Sequence, residues 1–318
     1  MPLHQVSGRW KLGLLLALAT AGFWATLPIA LKIALQHLDP YTITWVRFAF
    51  AFVCVGIWLG VQGRLRAFLQ QPKRIWSLLL IAALMLTGNY VFYLLGLKYT
   101  TPVNAQLLIQ LGPLMMALGG IFVFREKFNR WQWCGLAIML IGFGFFFSDQ
   151  LGAHPSQSSA YLLGGFLVFL AAITWALYAL VQKQLLNYLD SPHIMLFIYA
   201  FATVTLLPVS HVPSLLTLDV IPAIALLYCA INTLGAYGAF AEALAHWEAS
   251  RVSVVLALTP LLCTASVALA HWWKPDLVAA EHIAWMGWTG AALVVSGSIT
   301  VALMRDPMPR VQSNETSD

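Results

Sequence analysis

The sequence predicts an all-α polytopic membrane protein, with ten transmembrane helices arranged as two inverted five-helix repeats around a central cavity. Three observations carry this expectation. Hydrophobic residues make up 60% of the 318-residue chain and charged residues only 9%, with a mean hydropathy of +0.80. A soluble domain carries about a quarter charged residues. Reading for apolar runs of roughly 20 residues, the length that crosses a hydrocarbon core, gives ten segments. The third observation is internal repetition. Residues 12–51, shifted by 151 positions, align without a gap on residues 163–202, and fourteen of the forty pairs are identical. Trp24 falls on Trp175, Lys32 on Lys183, Asp39 on Asp190 and Phe50 on Phe201.

The first predicted span, 12–35, has a rival reading. Arg9 and Lys11 precede it and Ala19-Thr20-Ala21 resembles a signal-peptidase site. The apolar run continues past that site and the sixth span repeats it, so it is read as a retained helix. Its mid-span Trp24 offers an apolar wall or a cation–π contact, or simple packing, with Pro28 one turn on. Span two, 41–62, carries Arg47, which either anchors helices or meets an anionic group. Span three, 75–97, places Asn89, Tyr93 and Gly96 on one stripe. Span four, 102–124, places Gln106, Gln110 and Pro113 on one face, and the proline removes a backbone donor. Span five, 131–148, carries Gly135 and Gly142, a smooth stripe that lets a neighbour approach.

Residues 149–159 join the halves. Span six, 160–185, repeats span one, with Tyr178 and Gln182 extending the Trp175 face. Span seven is 192–210. Span eight, 219–245, contains Asn232 and Glu242, the one acidic residue clearly inside a span, a candidate for carrying a coupling proton or for contacting His246. Span nine, 250–272, matches span four at an offset of 147, with Ser253, Ala257 and Pro260 at the positions of Gln106, Gln110 and Pro113. Two proline-broken helices at equivalent places point to a transport site, against the alternative of a structural kink. Span ten, 283–304, carries Gly290 and Gly297, spaced like Gly135 and Gly142. The repeats are thus 12–148 and 160–304, followed by a cytoplasmic tail, 305–318, whose Asn314-Glu315-Thr316 sequon is read as chance.

Lys and Arg are retained on the cytoplasmic side of membrane proteins. With the amino terminus inside, thirteen of the seventeen fall inside and only Lys32, Lys98 and Lys274 outside, with Arg47 within a span. Both termini are therefore expected in the cytoplasm. The pI of about 9.1 reports this orientation and needs no nucleic acid. Five spans per half is an odd number, so the second copy enters the membrane from the opposite side. The four cysteines all lie in apolar spans without metal-ligand spacing.

Several stretches together resemble a known family: "WVRF" in span two, "LGLKYTTPVNAQLLIQLGPL" across spans three and four, "FREK" closing span four, and "EALAHWEASRVSVVLALTPLL" across spans eight and nine. The chain resembles the drug/metabolite transporter superfamily, and within it the EamA-type bacterial permeases, over roughly residues 12–304. The resemblance implies a basket of helices with spans four and nine lining the cavity and five and ten peripheral. It also implies export or exchange of small metabolites, often amino acids. One departure is read here: Trp272-Trp273-Lys274 stands where the first half has Arg125-Glu126-Lys127, so the acidic position is expected not to be duplicated.

The expected function is a secondary transporter of the bacterial inner membrane that moves neutral, zwitterionic or amphipathic metabolites by alternating access. A passive facilitator is the alternative. Neither GxSxG, HExxH nor a Walker loop is present, so enzymatic activity, a metal and a cofactor are not expected. The expected partners are a small-molecule substrate and lipid, with a homodimer through spans five and ten left open beside a monomer. Expected site residues are Gln106, Gln110, Asn89, Tyr93, Trp24, Trp175, Tyr178, Asn232 and Ser253. Pro28, Pro113 and Pro260 are expected hinges, Glu242 a candidate proton carrier or a partner of His246, and Arg47 a structural or anion-contacting residue.

Overall fold

The computed structural model describes residues 9–64, 72–124, 129–153, 158–247, 252, 255–276, 278–279, 281 and 283–303. Among these every regular element is helical. The helices are α1 (Trp10–Ala34), α2 (Pro40–Val61), α3 (Lys73–Tyr99), α4 (Pro102–Leu108), α5 (Leu111–Phe124), α6 (Arg130–Ala153), α7 (Ser158–Leu185), α8 (Ser191–Leu206), α9 (Val220–His246), α10 (Thr259–Trp273) and α11 (Trp285–Leu303). Seven are long and apolar enough to cross a membrane: α1, α2, α3, α6, α7, α8 (with its 3-10 extension to Val209) and α9. The chain is a multi-pass membrane protein. Its side chains are apolar outside as well as inside, as expected where lipid replaces water: Ile57, Leu140, Ile141, Phe166, Val204 and Ile224 are all exposed.

Local chemistry sets the helix starts. Asp39 caps α2 by accepting from the Tyr41 and Thr42 amides at 2.9 and 3.0 Å, and Pro40 occupies the first turn, where no amide is needed. Its repeat partner Asp190 precedes α8 in the same extended conformation.

The fourth predicted span is two helices, broken at Ile109 and Gln110. Pro113 has no N–H for the Ile109 carbonyl, and the Gly112 amide takes that carbonyl instead at 2.9 Å, tightening the turn. The same device recurs in the second half. Leu258 is a turn residue, and the Thr259 hydroxyl donates to the Leu256 carbonyl that Pro260 cannot reach. By contrast α1 runs unbroken through Pro28.

The main packing pairs map onto one another when the halves are exchanged. α1 packs on α9 and α3 on α7; α2 packs on α8, and α6 on α11; α5 packs on α7 and α10 on α1. Close approaches obey the same exchange. A Cβ on Gly13 would lie 2.5 Å from Trp247, and one on Gly164 would lie 3.0 Å from Thr100. Gly13 and Gly164 are one repeat pair, Thr100 and Trp247 another. The glycine stripes of α6 and α11 face each other within the chain: Gly135 meets the Gly297 carbonyl and Gly142 the Gly290 carbonyl.

Candidate functional site

Arg47 is the one basic residue the sequence places inside a span, and the structure buries it at 3% exposure. Its Nε donates to Thr233 Oγ1 of α9 at 3.1 Å, and its guanidinium lies 4.5 Å from the ring centroid of Tyr90 on α3. Cation–π attraction is strengthened by desolvation, which makes an aromatic bed a workable surrounding for a buried cation. Among the described residues no carboxylate lies within ion-pair distance of it.

Around this cation the helices deliver a shell of aromatic rings. The Tyr90 hydroxyl lies near Thr233 and Tyr237, and Tyr237 in turn near the Trp175 indole. Trp24 packs edge-on against Tyr237, with centroids 5.8 Å apart, and against Phe240 at the same distance. Phe48 stacks between Tyr90, at 4.5 Å, and Tyr199, at 5.7 Å. Trp175 joins this shell to the break in span four, since a Cβ on Gly112 would lie 3.0 Å from its ring. The arrangement sets a cation, which attracts a carboxylate, beside rings that pack against apolar or aromatic groups.

The structure brings Trp24, Trp175, Tyr178 and Tyr93 to this region. Tyr178 is buried and donates to the Met195 sulfur at 3.3 Å; Tyr93 is close enough to Arg47 and Cys263 to feel their charges. Asn89 and Asn232 have other work. Asn89 Nδ2 donates to the Ala171 carbonyl and Asn232 Nδ2 to the Phe23 carbonyl, both at 2.8 Å, so each amide ties its helix to one of the other half. Gln106 is buried on α4 and Gln110 is half-buried at the break. Pro28 is buried in α1, Pro260 is buried at the start of α10, and Pro113 is exposed. Glu242 is exposed and pairs with His246 at 3.1 Å. Ser253 and Glu126 lie outside the described residues. Sequence reasoning missed Tyr90, Thr233, Tyr199 and Tyr237. The signal available was Arg47 itself, because a cation in an apolar helix demands partners from facing helices.

A second polar cluster lies at the end of the molecule that carries Lys32. Lys32 Nζ donates to the Leu97, Lys98 and Thr100 carbonyls at 2.7, 3.3 and 2.7 Å, closing the end of α3. Beside it Glu281, from the α10–α11 connection, accepts from the Val103 amide at 3.2 Å and from the Thr101 hydroxyl. Burial pushes the Glu281 carboxyl up to about 7, against the opposing pull of those two donors and the Lys32 charge. Glu281 also corrects the expectation that the acidic position is not duplicated. The facing glycines of α6 and α11 set a repeat offset of 155, and at that offset Glu281 takes the register of Glu126. The second half carries extra residues after Lys274, which shift the offset from 147 and hide the match.

At the opposite end Asp190 joins Arg64 and His193, and His193 Nε2 reaches the Arg64 carbonyl at 2.9 Å. Burial works to raise the Asp190 carboxyl, but the His193 hydrogen bond and the charges of His193 and Arg64 outweigh it, and the group sits below its ordinary value. The pair is about 40% exposed, so solvent screens most of its worth.

The model of the EamA-like transporter family matches residues 11–148 and 162–303. An uncharacterized transporter of Haemophilus influenzae is 34% identical over 298 residues, covering 94% of this chain and 97% of its own. An uncharacterized inner membrane transporter of Escherichia coli K12 is 34% identical over 293 residues, covering 92% and 91%. A protein of Salmonella typhimurium named "probable amino-acid metabolite efflux pump" is 27% identical, covering 89% and 92%. A solved structure with a TM-score of 0.61 and 20% identity covers 93% of this chain and 99% of its own, and shows the same fold. With both halves matched by one family model, the chain belongs to the EamA-like transporter family.

Proposed function

We propose that this transporter is a ten-span, inverted-repeat carrier that exports small zwitterionic metabolites, amino acids foremost, by alternating access. Both termini lie in the cytoplasm of a bacterial inner membrane. In this reading α4 with α5 forms the fourth span, and α10 with the residues before it forms the ninth. The matching packing pairs support two halves rocking about a midplane site. The observation that carries the substrate class is Arg47: a buried cation bedded on Tyr90, held by Thr233, and without a carboxylate partner among the described residues. A substrate carboxylate supplies that charge, while Trp24, Trp175 and Tyr237 face the rest of the solute. The name of the Salmonella relative agrees with this class.

Counterflow in proteoliposomes tests the proposal. Vesicles loaded with a mixed amino-acid pool are expected to exchange an external labelled member saturably and with trans-stimulation. Linear, unstimulated flux would identify a passive facilitator instead. Replacement of Gln106 and Gln110 together by Ala is expected to lower exchange roughly tenfold, the worth of one or two hydrogen bonds. Unchanged exchange would remove both glutamines from the site.

A further inference from the structure

Three features of the Lys32 end have no role in substrate binding as proposed. Glu281 belongs to the second half, yet its Oε1 is held by the Val103 amide of the first half. Its second oxygen, Oε2, is buried and has no hydrogen-bond partner. Asn104, the residue after Val103, is 0% exposed; its Nδ2 donates to the Thr100 hydroxyl, while its Oδ1 also lacks a donor. Each is a buried acceptor without a donor, one on the carboxylate and one on the residue next to the amide that holds it. Burying an acceptor unsatisfied costs about 1–3 kcal/mol, so each such group calls for an explanation.

The surroundings identify what can fill the deficit. From α1 comes Lys32, whose ammonium is already committed to three carbonyls at the end of α3. From α7 comes Tyr161, which lies near Thr100 and Thr101. From the end of α6 comes Asp149, which accepts from the Ala284 amide at 3.2 Å. From α10 come Cys263 and His271, the latter bonded to the Val278 carbonyl at 2.8 Å. His282 lies outside the described residues. None of the described donors is directed at Glu281 Oε2 or Asn104 Oδ1, whereas a proton on Glu281 supplies an O–H.

We propose that Glu281 is a proton-binding latch between the two halves of the carrier, on the face that the proposed orientation puts outside. Ionised, the carboxylate holds the α10–α11 connection to Thr101 and Val103 at the start of the broken fourth span, in the field of Lys32. Taking up a proton from the outer solution weakens all three interactions and supplies an O–H at the unpartnered oxygen. The start of α4 is then free to move relative to the second half. Because α4 packs on α1, α3, α7 and α10, its release loosens the outer side of the site. The proton is bound and returned to the same side, so no co-reactant is needed.

This inference rests on the carrier reading, and its test separates the two. Counterflow is measured at equal internal and external pH from 5.5 to 8.5, beside infrared titration of the purified protein in detergent. Wild type is expected to exchange faster on the acid side of a single-proton transition near pH 7, in step with the carboxyl's position. Glu281→Gln, which keeps size and hydrogen bonding, is expected to lose the transition and the infrared band of the protonated carboxyl. Glu281→Asp is expected to shift both. Asp276→Asn, on the exposed part of the same connection, keeps them. A pH-independent wild-type rate, or a transition or band that survives in Glu281→Gln, overturns the latch. No exchange by wild type at any pH sinks the carrier reading, while the infrared titration still decides whether Glu281 takes the proton.

Discussion

Arg47→Gln is expected to abolish carboxylate-dependent exchange while leaving the protein folded. Removing one member of a desolvated charge pair costs about 2–5 kcal/mol, which is a loss of at least roughly thirtyfold in exchange efficiency. Glutamine keeps a donor for Thr233 Oγ1 and fits the space, so Tyr90 and Phe48 need not repack. Arg47→Lys retains the charge but not the planar group that lies over Tyr90 and can grip a carboxylate with two bonds. It is expected to be intermediate, with the loss mainly in apparent affinity. The informative comparison is a substrate against its decarboxylated amine. Wild type should exchange the amino acid and reject the amine. The Gln variant should reject the amino acid equally. If Arg47→Gln exchanges amino acids at the wild-type rate, Arg47 is a helix anchor and the substrate class proposed from it falls.

Much of the fold was legible because membrane chains obey strict rules. Every backbone polar group in hydrocarbon must be satisfied, so apolar length translates directly into helix. The Trp24–Trp175 and Asp39–Asp190 matches anticipated pairs of residues that the structure places alike. The fourth span, 102–124, is expected as a single helix broken by Pro113. It is two, because a Gly112–Ile109 hydrogen bond closes a tight turn ahead of Pro113, and turn closure of that kind leaves no mark in a hydropathy pattern. The site was less legible. Asn89 and Asn232 looked equivalent to ligand-binding amides, and which carbonyl an amide reaches depends on the facing helix. Arg47 was visible as a charge, but its bed is assembled from α3 and α9, residues 43 and 186 positions away. Repetition gave no help with its partners, because Arg47 has Ile198 as its repeat counterpart and so no duplicated polar position to compare. A shifted register hid Glu281, where extra residues in one copy displaced a match that packing glycines restore.

The asymmetry of Arg47 and the symmetry of the glycines divide the labour in this molecule. In the proposed carrier a substrate takes one orientation, so an anchor at Arg47 needs no duplicate. The α6–α11 pair packs mainly on itself and needs only close approach, so its stripes are duplicated and self-complementary. The second large effect is therefore expected in stability. A Cβ on Gly290 would lie 2.5 Å from the Phe146 amide nitrogen and 2.6 Å from the Gly142 carbonyl, both backbone atoms that cannot rotate away. Gly290→Ala must separate the two helices along their whole contact, and a cost of about 2–3 kcal/mol is expected for overpacking a tight interface. Gly144, two residues along α6 from Gly142, meets nothing within 4 Å. Gly144→Ala should leave stability unchanged or raise it by up to about 1 kcal/mol through helix propensity. Thermal unfolding of the two variants in the same detergent checks the contrast. Equal melting temperatures would mean that the stripes are not in contact. If Gly290→Ala is destabilised but the surviving folded fraction exchanges substrate with wild-type affinity, the pair is a scaffold at the periphery and the site lies elsewhere, around Arg47.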